Sequence, residues 1–124
     1  MSPSLAAWMF SDPSLIFRLA GLSGAMAVGL GAYGAHGLRS RKEVDAKRLH
    51  SYDQGSRYHL IHSLALLAAL HSRFPLLTTA LLLLGIVVFC GSCYYYGLTG
   101  DRSFIKSTPF GGVTLVVAWL TFVL

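Results

Sequence analysis

The chain has 124 residues and a formal net charge of +5, and 54% of its residues are apolar while only 12% are charged. Soluble domains carry roughly 25% charged residues, so this composition excludes an ordinary soluble domain and indicates a single membrane domain over residues 1–124. The basic residues gather mostly between residues 39 and 57, beside long apolar segments. Membrane orientation explains that cluster better than nucleic-acid binding does.

Four segments are long and apolar enough to be membrane spans, since about 20 apolar residues cross the hydrocarbon core. Three of them are almost free of charge, at about 19–38, 76–98 and 107–124. The fourth, 58–74, has a short apolar core and three histidines, so an interfacial helix is the alternative there. We expect it to span, because neutral histidine is tolerated inside a helix bundle. The prediction is an all-α, four-helix transmembrane bundle.

A basic linker, residues 39–57, separates the first two spans. Glu43 with Lys47 and Asp53 with Arg57 stand four residues apart, which favours an exposed helix. The second helix is therefore expected to start near Glu43 in the aqueous phase on the inner side. Eight basic residues lie in the two linkers on that side: Arg39, Arg41, Lys42, Lys47, Arg48, Arg57, Arg102 and Lys106. The positive-inside rule then places both termini outside.

The first span contains a stripe of small residues that ends in a histidine: Gly21, Ala25, Gly29, Ala32 and His36. Their spacing places them on one helix face. Small residues let membrane helices approach closely, so the stripe is predicted to be a packing face, with His36 contacting the start of the second helix. The same stretch contains a GxGxxG pattern, but a dinucleotide site needs a strand before the glycines, and nucleotide binding is not predicted.

Other unusual residues are expected at the same, inner ends of the helices. Beside the stripe, the predicted interhelical contacts are His59, His62, Tyr95, Gly111 and Gly112. His36, His59 and His62 could instead bind haem or a metal, although the spans hold no carboxylate that would orient the imidazoles. No catalytic residues and no cofactor are predicted. Cys90 and Cys93 are interpreted as small helix residues, because nothing nearby would activate a thiol.

The motifs "GLSGAMAVGLGAYGAHGL", "YHLIHSLALL", "FCGSCYYYGLTGD" and "TPFGG" with a following "AW" resemble a known family in order and spacing. This is the family of transmembrane protein 256, or domain of unknown function 423. The resemblance covers residues 19–119 and implies a four-pass membrane protein, found in bacteria and in the mitochondria of eukaryotes. It implies no established reaction.

The leading hypothesis is a non-enzymatic accessory subunit of a larger inner-membrane complex of the respiratory-chain type. Its expected partners are the lipid bilayer and other membrane subunits, with no nucleic acid and no nucleotide. The expected location is the mitochondrial inner membrane, or the bacterial inner membrane in a prokaryote. A transporter or channel for a small solute or ion is the rival hypothesis, and it requires a polar path past Ser63 and Thr79.

Overall fold

The computed structural model describes residues 13–124, and these residues form four main helices without a strand. Consecutive helices run in opposite directions, and α1 packs on α2, α2 on α3 and α3 on α4. The all-α prediction is confirmed. The linkers of residues 39–45 and 100–107 lie at one end of the bundle, which we call the basic end. The 72–74 turn and the C-terminus lie at the opposite end.

Helix α1 covers Pro13–Tyr33 and ends in a π-helical turn at Gly34–Leu38. The described part of this helix thus extends six residues before the predicted span at residue 19. At the other end, the Arg39 N–H bonds the Gly34 carbonyl, and the Ser40 hydroxyl donates to the Gly37 carbonyl at 2.8 Å. These bonds stop the helix at the basic end.

Helix α2 covers Ala46–Ala68 and continues as a 3₁₀ turn over Ala69–His71. The Asp45 carboxylate accepts the Arg48 backbone N–H at 2.9 Å, which makes Asp45 the N-cap. The predicted linker of residues 39–57 is therefore a linker only before Ala46. Tyr52 and Gly55 are buried, so this part of α2 belongs to the bundle. The predicted 58–74 span also ends earlier, because the helical turns stop at His71.

Helix α3 covers Pro75–Thr99 and contains a π-helical turn at Ile86–Cys90. It ends at Gly100, whose φ of 75° is a left-handed conformation that glycine adopts without strain, and the Gly100 N–H bonds the Tyr96 carbonyl. Helix α4 covers Thr108–Thr121 after a 3₁₀ turn at Ile105–Ser107. It is therefore shorter than the predicted 107–124 span.

Two of the helices are long and apolar enough to cross a membrane, Pro13–Leu38 and Pro75–Thr99. The larger buried cluster joins α2, α3 and α4 around Leu66, Leu82, Leu115 and Ala118, with Ala20 of α1 at its edge. A second cluster of Leu38, Val44 and Tyr52 fills the basic end. The four-pass topology and the outside placement of the termini stay predictions.

Candidate functional site

The polar groups between the helices form small, closed sets of hydrogen bonds. The largest set, which we call the His59 junction, consists of Ser23 of α1, His59 and Ser63 of α2, and Tyr94 of α3. His59 Nδ1 lies 2.9 Å from the Tyr94 hydroxyl, and His59 Nε2 lies 3.1 Å from Ser23 Oγ. Ser23 Oγ lies 2.6 Å from Ser63 Oγ. One imidazole therefore links three helices.

The direction of each hydrogen bond in the His59 junction follows from the Ser63 hydroxyl, whose role as a donor is fixed by its carbonyl partner. The Ser63 hydroxyl donates to the His59 carbonyl at 2.7 Å, so it must accept from Ser23. Ser23 then accepts the proton on His59 Nε2, and His59 Nδ1 accepts from the Tyr94 hydroxyl. Every proton has one acceptor only if His59 is neutral with its proton on Nε2. The junction thus works as an interhelical connection without a free donor.

The second buried histidine links α2 to α4. The Trp119 indole Nε1–H donates to His62 Nε2 at 3.0 Å. His62 Nδ1 must therefore carry the proton, which it donates to the Tyr58 carbonyl at 2.6 Å. The sequence prediction that His59 and His62 make interhelical contacts agrees with this geometry. The two rings hold opposite tautomers because they face different partners.

Tyr52 lies at the meeting point of α1, α2 and α3 and is fully buried. Its hydroxyl donates to the Leu30 carbonyl of α1, and its ring packs on Tyr94 with centroids 5.0 Å apart. Gly34 and Gly97 lie against this ring and its Cβ, where a methyl group would come within 2.8 Å. The sequence analysis did not single out Tyr52, because its place in a basic segment suggested exposure to water.

The contact of α3 with α4 depends on close backbone approach. A Cβ added at Gly111 would lie 2.4 Å from the Phe89 backbone nitrogen, within the π-helical turn of α3. A Cβ at Gly112 would meet only the Phe89 ring, at 3.6 Å. The prediction of a close contact at this glycine pair thus agrees with the structure, and Gly111 is the residue that needs to be glycine.

Paired hydroxyl groups also join α3 to α4. Thr78 lies 2.6 Å from Thr121, and Ser92 lies 2.6 Å from Thr108, each distance measured between side-chain oxygens. The Thr79 hydroxyl is fully buried and has no hydrogen-bond partner in the described part of the chain. Ser63, in contrast, belongs to the His59 junction. Ser63 and Thr79, the two positions of the transport path in the rival hypothesis, thus lie in different environments: Ser63 is hydrogen-bonded and Thr79 is not.

Arg48 binds the C-terminal end of α3. Its Nε donates to the Gly97 carbonyl at 3.2 Å, and its Nη2 donates to the Leu98 carbonyl at 2.9 Å. These are carbonyls of the last turn, which have no partner inside the helix. A positive charge also complements the negative end of the helix dipole. Arg48 is thus a structural residue, whereas the sequence analysis counted it only as part of the basic cluster.

The loop after α3 is organised by Asp101. Its carboxylate accepts the Ser103 hydroxyl at 2.6 Å, the Ser103 N–H at 2.9 Å and the Tyr95 hydroxyl at 2.9 Å. The bonds from Ser103, followed by the one from Tyr95, hold the pKa of Asp101 below its usual value. Tyr95 was predicted to make a contact between helices, and it contacts this loop instead, including Phe104.

The predicted packing stripe faces away from the rest of the chain. All five of its residues are exposed, and an added Cβ at Gly21 or Gly29 would meet nothing within 4 Å. Helix α1 instead packs through Ile16, Ala20, Ala27, Gly34 and Leu38. The structure therefore does not bring Gly21, Ala25, Gly29, Ala32 and His36 into the core of the described bundle, and their part in helix packing stays a prediction. The packed face also carries small residues, Ala20, Ala27 and Gly34, so helix spacing alone did not separate the two faces.

The three histidines do not form one site in this structure. His36 is exposed on α1, while both ring nitrogens of His59 and of His62 are engaged in the bonds given above. Residues 13–124 contain no group of three or more histidine, cysteine or acidic residues placed to hold a metal ion. Cys90 and Cys93 are buried free thiols whose helix face packs on Gly55. This agrees with their interpretation as packing residues.

Apolar helices of membrane-spanning length in an all-helical chain, joined by internally satisfied polar groups, are the features of an α-helical membrane protein. The chain belongs to the family described as "Protein of unknown function (DUF423)", whose profile matches residues 30–112. The family resemblance found in the sequence is thereby confirmed.

Curated relatives cover most of the chain, and each is named as a membrane protein. The UPF0382 membrane protein SSP2132 of Staphylococcus saprophyticus is 40% identical over 111 residues, which are 86% of this chain and 91% of that protein. YwdK of Bacillus subtilis is 38% identical over 112 residues, 85% and 89% of the two chains. C1782.12c of Schizosaccharomyces pombe is 36% identical over 117 residues, 86% and 96%. No solved structure matches the chain.

Proposed function

We propose that this membrane protein is a non-enzymatic accessory subunit of a larger inner-membrane complex of the respiratory-chain type, in bacteria or in mitochondria. The observation that carries the proposal is the outward position of the small-residue stripe Gly21, Ala25, Gly29 and Ala32. Helix α1 packs on α2 through its opposite face, so the stripe is open to a helix of another subunit. Small residues at this spacing allow two membrane helices to come close.

The interior of the chain supports a structural role. Polar groups of the interior are bonded to one another, to Tyr94 or to backbone carbonyls: His59, His62, Ser23, Ser63 and Trp119. A general base or a nucleophile must keep its reacting atom free for a substrate, whereas the reacting atoms of these groups are used in hydrogen bonds within the chain. We therefore propose that these groups hold the helices in place.

Variants of the stripe provide the sharpest test. Leucine at positions 25 and 29 would occupy the face toward another subunit, and a Cβ added at Gly29 meets nothing within 4 Å among residues 13–124. We expect the wild-type chain, extracted from its native membrane in a mild detergent, to migrate on a native gel in a band that stains for respiratory dehydrogenase or oxidase activity. The double variant Ala25→Leu/Gly29→Leu should move mostly to the position of the free chain.

Met26 provides the matched control, since it is 50% exposed on the same helix but lies about 100° around the helix from the middle of the stripe. Met26→Phe should leave the large band unchanged. Migration of the wild-type chain as a monomer in mild detergent would contradict a role as a subunit. A large band without respiratory activity would contradict the assignment to a respiratory-chain complex, and an unaffected stripe variant would contradict the contact face.

A further inference from the structure

A groove of about 620 Å³ runs between α2 and α4 on the surface of the bundle. It is lined by Tyr58, Ile61, Pro109, Val113, Val116 and Trp119, among others. A second groove, of about 380 Å³, shares Ile61 and Trp119 with the first and continues to Ala68 and Phe122. The two together form one apolar surface groove along the outside of the bundle, which we call the α2–α4 groove.

The length of the α2–α4 groove suits a lipid chain. From Pro109 to Phe122 the helix rises about 20 Å, at about 1.5 Å per residue. One leaflet of hydrocarbon is about 15 Å thick, half of the bilayer core. An acyl chain that starts at the basic end can therefore lie in the groove over its full length.

The floor of the groove offers no free polar atom at its histidine. His62 donates from Nδ1 to the Tyr58 carbonyl and accepts the Trp119 indole N–H at Nε2. The Trp119 indole has only this one N–H to donate. A polar ligand would gain no hydrogen bond from these two rings, whereas a hydrocarbon chain loses nothing by covering them. The chemistry of the floor thus favours an acyl chain.

The basic end of the groove carries positive charge. Arg57 stands four residues before Ile61 and therefore lies one turn away on the same helix face. Lys106 stands three residues before Pro109, in the turn that leads into α4. Both side chains are exposed, and neither forms an ion pair with residues 13–124, in contrast to Arg39 with Asp53 and Arg41 with Glu43. Two cations at the end of an apolar groove complement a phosphate group joined to acyl chains.

We propose that the α2–α4 groove binds one anionic phospholipid, with an acyl chain along Val113, Val116 and Trp119 and its phosphate near Arg57 and Lys106. This inference does not depend on the proposed role as a subunit, because it concerns the side of the bundle formed by α2 and α4. The stripe of α1 takes no part in it. Either proposal can therefore fail while the other stands.

Trp119 makes the proposal measurable, because brominated acyl chains quench tryptophan fluorescence on contact. The full chain carrying Trp8→Phe, so that Trp119 is its single tryptophan, is reconstituted into vesicles of phosphatidylcholine and phosphatidylglycerol. Bromine is placed on one lipid or the other at the same mole fraction. We expect brominated phosphatidylglycerol to quench with an apparent affinity about 25-fold higher, since each of the two basic side chains near an anionic lipid contributes a factor of about five.

Two variants separate a site from the general surface charge. Arg57→Gln/Lys106→Gln should reduce the preference for phosphatidylglycerol to that of the surrounding bilayer, and Val116→Phe should weaken quenching by filling the groove. Arg73→Gln, which removes an exposed cation at the opposite end, should preserve the preference. Equal quenching by both lipids in the Trp8→Phe chain would overturn the proposal. So would a preference that survives Arg57→Gln/Lys106→Gln, or an absence of quenching by either lipid, which would indicate a protein in the groove.

Discussion

Helices α1 and α4 flank the central pair α2 and α3, and they are attached in different ways. Helix α1 is attached through side chains, by the Tyr52 hydroxyl and by the His59 junction. Helix α4 lies directly on the backbone of α3, where Gly111 meets Phe89, and Gly85 of α3 meets Leu115. Side chains can adjust to a changed neighbour, whereas backbone in contact cannot. The α4 contact should therefore be the less tolerant of substitution.

The largest effect is expected at Gly111. Gly111→Ala places a methyl group against the Phe89 backbone, so α4 must move away and the chain loses about 2–3 kcal/mol of unfolding free energy. Gly112→Ala is the matched control, because its methyl group has ordinary room and alanine favours a helix. That control should retain or increase the stability. Unfolding in mixed detergent micelles measures both, and equal losses at the two positions would contradict the backbone contact.

A smaller loss is expected from Ser23→Ala, which removes the middle of the His59 junction. The imidazole Nε2–H is then buried without an acceptor, and Ser63 loses a donor, at a cost of about 1.5 kcal/mol. Ser23→Thr restores a hydroxyl and should recover most of the stability. The same unfolding measurement applies, and a double variant with Ser63→Ala should cost less than the sum of the two single changes.

Tyr52→Phe tests the other attachment of α1 and should have a weaker effect. The buried ring remains, but the Leu30 carbonyl loses the phenol donor, which costs about 0.6 kcal/mol in a membrane protein. Tyr58→Phe changes a partly exposed tyrosine and is expected to be neutral in the same assay. If Tyr52→Phe destabilised the chain more than Ser23→Ala, the ranking of the two α1 attachments would be reversed.

Most of the fold was predicted from the long apolar segments and from the prolines beside them. Pro75 begins α3 as expected, and α3 ends one residue beyond the predicted span at 98. Residues 46–57 are helical, as expected from a helix that starts near Glu43, but their exposure was misjudged. A basic and polar composition indicates exposure even where one helix face, with Tyr52 and Gly55, is buried. The face of α1 that meets α2 was missed for a different reason. That helix carries small residues on two faces, and sequence spacing does not say which face meets α2.

The site was predictable only where single polar residues interrupt an apolar run. His59 and His62 were found in this way, and Ser23 and Ser63 carried the same signal without being predicted as their contacts. Trp119 and Tyr94 were not selected as contacts of the histidines because aromatic residues are common at membrane interfaces. Their pairing depends on how neighbouring helices are aligned lengthwise, which no single segment specifies. Thus the sequence indicates that the histidines matter, and the structure supplies their partners.

The smallest effect is expected outside the helices, at the loop that joins α3 to α4. The Ser103 and Tyr95 donors favour the carboxylate of Asp101, so the pKa is lower in the folded chain than in the unfolded one. Their contribution to stability is complete above an unfolded pKa of about 3.9 and is lost as the pH falls through the lower folded pKa. Asp101→Asn should be slightly less stable than wild type at pH 7, and thermal unfolding should show this difference shrinking as the pH falls below about 3.9. A difference that did not shrink below that pH would exclude the carboxylate charge as its source.

Arg48 can form its hydrogen bonds to the end of α3 only late in the synthesis of the chain. Residue 48 leaves the ribosome well before residues 97 and 98, so its guanidinium has no helix end to bind while the first two helices are being made. During that interval Arg48 is a free cation that can influence how the chain enters the bilayer. Once α3 is complete, the same charge neutralises a helix terminus. One side chain thus changes from a cation without a helix end to bind into the group that caps the end of α3.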